Sequence, residues 1–260
     1  MEFTLDFLRR HRDGPFYFYF PTHLVHGPIL RTPDSKPGGI LYDENVAYLD
    51  KQVGQVVAEL DRLGIRENTL IIFTGDNGTA RQSGTIGGRQ INGQKGTMLE
   101  GGAHVPFIAN WKGVAPAGRV LKGLLDFSDV FPTFTELAGA RMPSGVKFDG
   151  RSFAPQLRGQ PGHPREWIFV QLGNRWYTRN TGWKLNQNGE LFDMSDAPFV
   201  EKFIPAEGQS AAVKAARASL QAVLDELNPA AGKNSSAADL LVKKAAKQQK
   251  KARRAARNQP

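Results

Sequence analysis

Asp76 and Asn77 stand side by side in Phe73-Thr74-Gly75-Asp76-Asn77-Gly78 and offer a carboxylate and an amide oxygen as neighbours. Hard divalent cations such as Ca²⁺ and Mg²⁺ prefer oxygen ligands of this kind, and a cation held there attracts an anionic substrate oxygen. Lys95, between Gly93 and Gly96 in a glycine-rich loop, brings an ammonium that can meet an oxyanion. His23 and His26 lie in Thr22-His23-Leu24-Val25-His26-Gly27-Pro28, just after an aromatic run. Taken singly, each feature also has a plain reading. Asp-Asn-Gly is a common turn, and a lone lysine or histidine in a loop is usually a solvated side chain.

Whether these groups form a site depends on the elements that present them. The aromatic run 16–20 has high β-propensity and reads as a strand buried on both faces. From residue 43 to 63, Val46, Leu49, Val53, Val56, Val57, Leu60 and Leu63 recur at three- and four-residue steps, the pattern of an amphipathic helix of about six turns. An apolar strand at 69–73 follows and ends at the Asp76-Asn77 pair. Strand, helix and strand together predict a βαβ unit with parallel strands and a right-handed crossover. That arrangement puts His26 and Asp76-Asn77 at one sheet edge, past the carboxyl ends of the strands, where open α/β sheets bind ligands.

Further along, 105–111 reads as another strand, 127–138 as a helix, and 148–157 as a turn with a short helix. From residue 166 the texture changes to short strands at 167–172, 175–178, 182–186 and 190–193, with Asn188-Gly189 as a hairpin signal between the last two. A helix over 210–227 is expected to cover one face of this antiparallel meander. The expected organisation is a catalytic-type α/β domain over 1–160, an antiparallel subdomain over 161–229, and a basic, disordered tail over 230–260.

Composition limits the function classes. The 260 residues are 40% hydrophobic, contain no cysteine, and carry a formal net charge of +9. Disulfides, thiolate metal sites and a cysteine nucleophile are therefore excluded. No run of about 18 apolar residues is present, so no membrane span is expected, and the N-terminus shows no signal-peptide hydrophobic region. The basicity is local. Residues 233–260 hold nine Lys or Arg against one acid, Asp239, and leave the rest near neutrality. Lacking aromatic residues, that tail offers charge without stacking, which argues against specific nucleic-acid recognition.

The motifs in their order are more specific than any one of them. His26-Gly27-Pro28, Tyr48-Leu49-Asp50 on a helix, Phe73-Thr74-Gly75-Asp76-Asn77-Gly78, Lys95-Gly96-Thr97 and Glu100-Gly101-Gly102 come first. Phe127-Ser128-Asp129 leading to Pro132-Thr133, then Phe148-Asp149-Gly150 and Glu190-Leu191-Phe192-Asp193, complete the series. Over residues 3–195 the chain resembles the sulfatases, the arylsulfatase-like branch of the alkaline phosphatase superfamily. The resemblance implies a partial alkaline-phosphatase-like mixed sheet flanked by helices, with a small C-terminal antiparallel sheet and helix. It implies that Asp76 and Asn77 are half of a calcium site (Mg²⁺ being the alternative ion), and that His26 and Lys95 are catalytic groups that bind the sulfate. His104 departs from the arginine that many relatives carry before Val-Pro, and no role is assigned to it.

The same resemblance identifies what this sequence lacks. The family nucleophile is a formylglycine made from Cys or Ser in a Cys/Ser-x-Pro-x-Arg segment, and no such segment occurs here. The paired aspartates of the family's first strand and a Gly-Lys-Trp-His segment are also absent. The expectation is a carboxyl-terminal part of a sulfuric ester hydrolase, inactive alone because covalent catalysis has no nucleophile. The expected ligands are sulfate-ester small molecules or sulfated glycans. Two alternatives remain: a non-catalytic protein binding anions or sulfated ligands, and hydrolysis of phosphate or phosphonate esters. Family members are often exported, but this sequence assigns no compartment and no oligomeric state.

Overall fold

The computed structural model describes residues 1–80 and 82–230; the basic tail lies outside the described residues. The helices are α1 (Glu2–Arg10), α2 (Leu41–Arg62), α3 (Glu100–Ala103), α4 (Val130–Leu137), α5 (Ala154–Leu157) and α6 (Ala211–Leu227). The strands are β1 (Ile71–Thr74), β2 (Ser83–Ile86), β3 (Arg89–Asn92), β4 (Phe107–Asn110), β5 (Ile168–Leu172), β6 (Arg175–Arg179), β7 (Trp183–Asn186), β8 (Leu191–Asp193) and β9 (Lys202–Ile204). The fold is mixed α/β. Two compact units interleave along the chain, one built from residues 1–75, 106–121 and 127–163, the other from 76–105, 122–126 and the chain from 164 onward.

In the first unit α2 forms where the periodicity predicts it, with Leu60 buried on its inner face. Leu8 of α1 is buried too, and Arg9 reaches across to donate Nε–H to Glu59 Oε1 at 2.7 Å. Glu59 also accepts from Arg62 Nε at 2.9 Å, one turn along α2. Strand β1 pairs antiparallel with β4, with Ile71 opposite Asn110 and Thr74 opposite Phe107. Behind them, Phe107 meets Phe153 edge-on at 5.7 Å.

The βαβ unit expected from the sequence does not form. Residues 16–20 are assigned to no strand, and the neighbour that β1 takes is antiparallel. The aromatic side chains still alternate: Phe16 and Phe18 pack on Phe7 of α1, while Tyr17 contacts Phe134 of α4 at 5.6 Å. Burial on both faces is not achieved, since Tyr17 and Tyr19 remain 69% and 72% exposed. High β-propensity reflects fit to a pleated, paired surface, so it makes a strand only where a neighbouring backbone completes the ladder.

Several motif residues serve this unit's architecture. Thr133 Oγ1 donates to Asp129 O at 2.6 Å and accepts from Phe153 N–H at 2.9 Å. Asp129 Oδ1 accepts from Arg151 N–H at 2.7 Å. These bonds tie the start of α4 to the segment leading into α5.

The second unit contains the β2–β3 hairpin and a five-stranded antiparallel sheet in the order β5-β6-β7-β8-β9. The hairpin turns at Gly87-Gly88, both at positive φ (56° and 79°), a conformation that favours glycine at both central positions of a two-residue turn. Ser210 Oγ caps α6 by accepting from Val213 N–H. Leu220 and Leu224 of α6 then close over Leu185 of β7 and Leu191 of β8, with Trp176 and Trp183 packed around them. Each fully buried leucine here stabilises the unit by roughly 1.5–3 kcal/mol, which makes this cluster its main hydrophobic anchor.

Candidate functional site

Asp76 and Asn77 lie in a bend two residues past the end of β1, with Asp76 exposed and Asn77 half-buried. The bend is fixed from the far side of the glycine-rich loop. Gly78 N–H donates to Gly102 O at 3.1 Å, and Lys95 N–H donates to Thr79 O at 3.0 Å. A Cβ on Gly78 would stand 1.8 Å from Gly101 O, so only glycine permits this approach of two backbones. Asp76, Asn77 and Lys95 are thus carried on one hydrogen-bonded framework within the second unit.

The Lys95 loop is tightened by its own residues. Thr97 N–H donates to Gln94 O at 3.0 Å, and Gln94 Oε1 accepts from Gly101 N–H at 2.8 Å. Lys95 itself is exposed, so its ammonium is available to a ligand.

His26 belongs to the first unit and is exposed. Its Nδ1 lies 2.7 Å from Gly27 O, which in the neutral ring selects the tautomer protonated at Nδ1 and leaves Nε2 as an acceptor. His23, His26, Arg31 and Tyr48 line a shared cleft, open to solvent, with a volume of about 220 Å³. His26 N–H donates to His23 O at 2.8 Å, so the two histidines flank one tight turn.

Asp76 and Asn77 fit a divalent cation in part. Ca²⁺ takes roughly six to eight oxygen ligands, and these two side chains supply a carboxylate and an amide oxygen suited to it. No group of three His, Cys, Asp or Glu that could hold a metal occurs among the described residues. Among the described residues the pair thus has no third carboxylate or imidazole beside it to complete such a group. Formylglycine does not fit, because the sequence has neither the cysteine nor the serine segment from which it is made.

Sequence spacing did not reveal the charged network beneath the loop. Arg179 of β6 pairs with Glu100 of α3, and Lys184 of β7 pairs with Glu201. All four side chains are 9% exposed or less. Glu100 also meets His104 Nδ1 at 3.3 Å. The hydrogen bond from His104 and the charge of Arg179 outweigh burial and hold the Glu100 carboxyl below its ordinary range, while the Glu100 hydrogen bond raises the His104 pKa. Burial lowers the Lys184 pKa. Only Glu100 had a signal, as part of Glu100-Gly101-Gly102, and its partners lie far along the chain.

The small antiparallel sheets and helices make this a mixed α/β protein, with the Asp76-Asn77 bend and the Lys95 loop joined in its second unit. The chain belongs to the sulfatase family: the Sulfatase family model matches residues 1–140. Steryl-sulfatase of Rattus norvegicus is 36% identical over 196 residues, which cover 72% of this chain and 34% of that protein. This chain thus spans about a third of the length of that relative. The PsFucS1 sulfatase of Pseudoalteromonas sp. superposes with a TM-score of 0.67 at 24% identity, covering 87% of this chain and 52% of that one. BT4656, solved with its substrate D-glucosamine-2-N,6-O-disulfate, gives a TM-score of 0.57 at 23% identity, covering 75% and 41%. The chain carries part of the alkaline-phosphatase-like fold of these sulfatases.

Proposed function

We propose that this chain supplies one wall of a sulfate-ester hydrolase site, and that turnover requires family segments which this sequence does not contain. The observation that carries the reading is the pair of backbone bonds, Gly78 to Gly102 and Lys95 to Thr79, that hold Asp76, Asn77 and Lys95 on one framework. In this reading Asp76 and Asn77 are ligands of Ca²⁺, with Mg²⁺ as the alternative. When bound, the cation supplies positive charge that draws in sulfate oxygens and stabilises charge on a transferring sulfuryl group. Lys95 binds a sulfate oxygen through its exposed ammonium, and His26 is carried over from the family resemblance as a catalytic, sulfate-binding residue. The substrate class is a sulfate ester, on a small molecule or a glycan, in keeping with the steryl-sulfatase relative and the disulfated sugar bound by BT4656.

The test combines turnover and binding. The 260-residue chain, incubated with 4-nitrocatechol sulfate and Ca²⁺, is expected to release no 4-nitrocatechol above the uncatalysed rate. Robust release would overturn the requirement for further segments. Calorimetry with Ca²⁺ followed by 4-nitrocatechol sulfate is expected to show weak binding that Lys95→Met lowers roughly tenfold, the worth of one charge-assisted contact. Unchanged affinity in Lys95→Met would overturn the anion-binding role of that residue.

A further inference from the structure

The loop that carries Lys95 is gripped from the five-stranded sheet of its own unit. Arg175, at the start of β6, donates from Nη2 to Gly96 O at 3.0 Å. Lys184, in the middle of β7, donates from Nζ to Met98 O at 3.0 Å. Glu201, between β8 and β9, pairs with Lys184 and also accepts from Glu100 N–H at 2.6 Å. Backbone groups of residues 96, 98 and 100 are therefore each held by a charged side chain from the sheet. Hydrogen bonds with a charged partner are shorter and stronger than neutral ones, so such contacts fix a loop more firmly than its own turns do.

Burying the Lys184 ammonium carries a desolvation cost that its pair with Glu201 only offsets. Its side chain is 4% exposed, and its ammonium sits 4.8 Å from the Tyr177 ring centre and 5.4 Å from that of Phe192. A buried ion pair seldom stabilises a fold more than apolar side chains of the same size would. What an apolar residue could not do is donate to Met98 O while Glu201 accepts from Glu100 N–H. The pair converts sheet geometry into a defined backbone path for the loop.

We propose that Lys184 and Arg175 are positioning residues for the Lys95 ammonium, so that the C-terminal sheet is part of the anion site. The inference rests on the reading of Lys95 as the sulfate-binding lysine. Neither residue touches the anion; each acts through the carbonyls on either side of Thr97.

The test uses the full 260-residue chain with two independent readouts: amide hydrogen exchange over residues 94–102, and affinity for 4-nitrocatechol sulfate in the presence of Ca²⁺. Arg175→Ala changes an exposed contact, and Lys184→Met combined with Glu201→Gln removes both buried charges together. Each is expected to speed exchange in the loop by about tenfold while amides of the β5–β9 sheet keep their protection. Each is also expected to weaken probe binding several-fold, with Arg175→Lys and Lys184→Arg restoring most of it. Unchanged loop exchange in both altered chains would overturn the grip. Faster exchange with unchanged affinity, or affinity not restored by the conservative variants, would overturn the positioning role. Unchanged affinity in Lys95→Met, with loop exchange responding as expected, would instead locate the failure in the anion reading.

Discussion

Replacing Arg179 by methionine should convert a stable buried pair into a pH-dependent defect. Arg179 and Glu100 are each only 9% exposed, so the guanidinium is the principal countercharge available to that carboxylate. Removing one partner of a buried pair costs about 3–5 kcal/mol, because the remaining charge stays desolvated. Here the cost depends on His104, whose Nδ1 lies 3.3 Å from Glu100. The His104 pKa is raised by that hydrogen bond and held back by the charge of Arg179, so losing Arg179 raises it further. A raised histidine pKa contributes stability that is complete below its unfolded value and lost as pH rises through its folded value. The variant should therefore lose less stability at pH ~5.5, where His104 carries its charge beside Glu100, than at pH ~8.5, where it does not.

Urea unfolding followed by the fluorescence of Trp176 and Trp183, which pack in the same sheet, reads this directly. With a slope of about 1–3 kcal/mol/M, the loss at pH ~8.5 corresponds to a midpoint at least about 1 M below that of the parent chain at the same pH. Adding Glu100→Gln to the variant should recover part of the loss and flatten its pH dependence. A midpoint change under about 0.3 M at pH ~8.5, or a larger loss at pH ~5.5, would refute the argument.

Leu185→Ala empties a fully buried position under α6 and should cost about 2–5 kcal/mol in the same unfolding experiment. The Glu59 carboxyl is held down at about 2, against an ordinary 4.5, by hydrogen bonds from Arg62 and then Arg9. A lowered carboxyl pKa gives stability that is present above 4.5 and lost as pH falls toward 2, so Glu59→Gln should abolish that part of the acid dependence, with carboxyl NMR titration of Glu59 as the check. Gly78→Ala would drive a methyl group against Gly101 O, and the backbone there has no side chain to move aside. Terbium luminescence should show cation affinity at the Asp76-Asn77 bend reduced by about tenfold or more, with unchanged affinity counting against that placement of the metal donors.

The elements that were legible in the sequence are those whose order is local. The three- and four-residue recurrence from Val46 to Leu60 placed α2 within two residues of its bounds. The C-terminal meander followed from short strands separated by polar turns with Asn188-Gly189 as a hairpin signal, and α6 forms at Ala211–Leu227 within the expected 210–227. The β2–β3 hairpin was absorbed into a loop, although Gly87-Gly88 signals a tight turn, because Ser83, Thr85, Gln90 and Asn92 bring almost no apolar alternation. Residues 16–20 failed in the opposite direction. Their composition is strand-like, but pairing is a property of two backbones and a one-dimensional pattern specifies only one of them.

For the site, residue chemistry offered Asp76, Asn77, Lys95 and His26 beside plainer readings, and it was the order of the motifs, through the family it pointed to, that implied their roles. What the tertiary structure decided is how those groups are carried. It joins the Asp76-Asn77 bend to the Lys95 loop through Gly78, Thr79 and Gly102, and sets His26 in a cleft of the other unit. It also reveals the sheet-borne charges of Arg175, Arg179, Lys184 and Glu201 beneath the loop. Those contacts join residues as far as 101 positions apart. Local spacing records periodicity and turn chemistry over a few residues, whereas a buried charge finds its partner only when separate strands are brought into register.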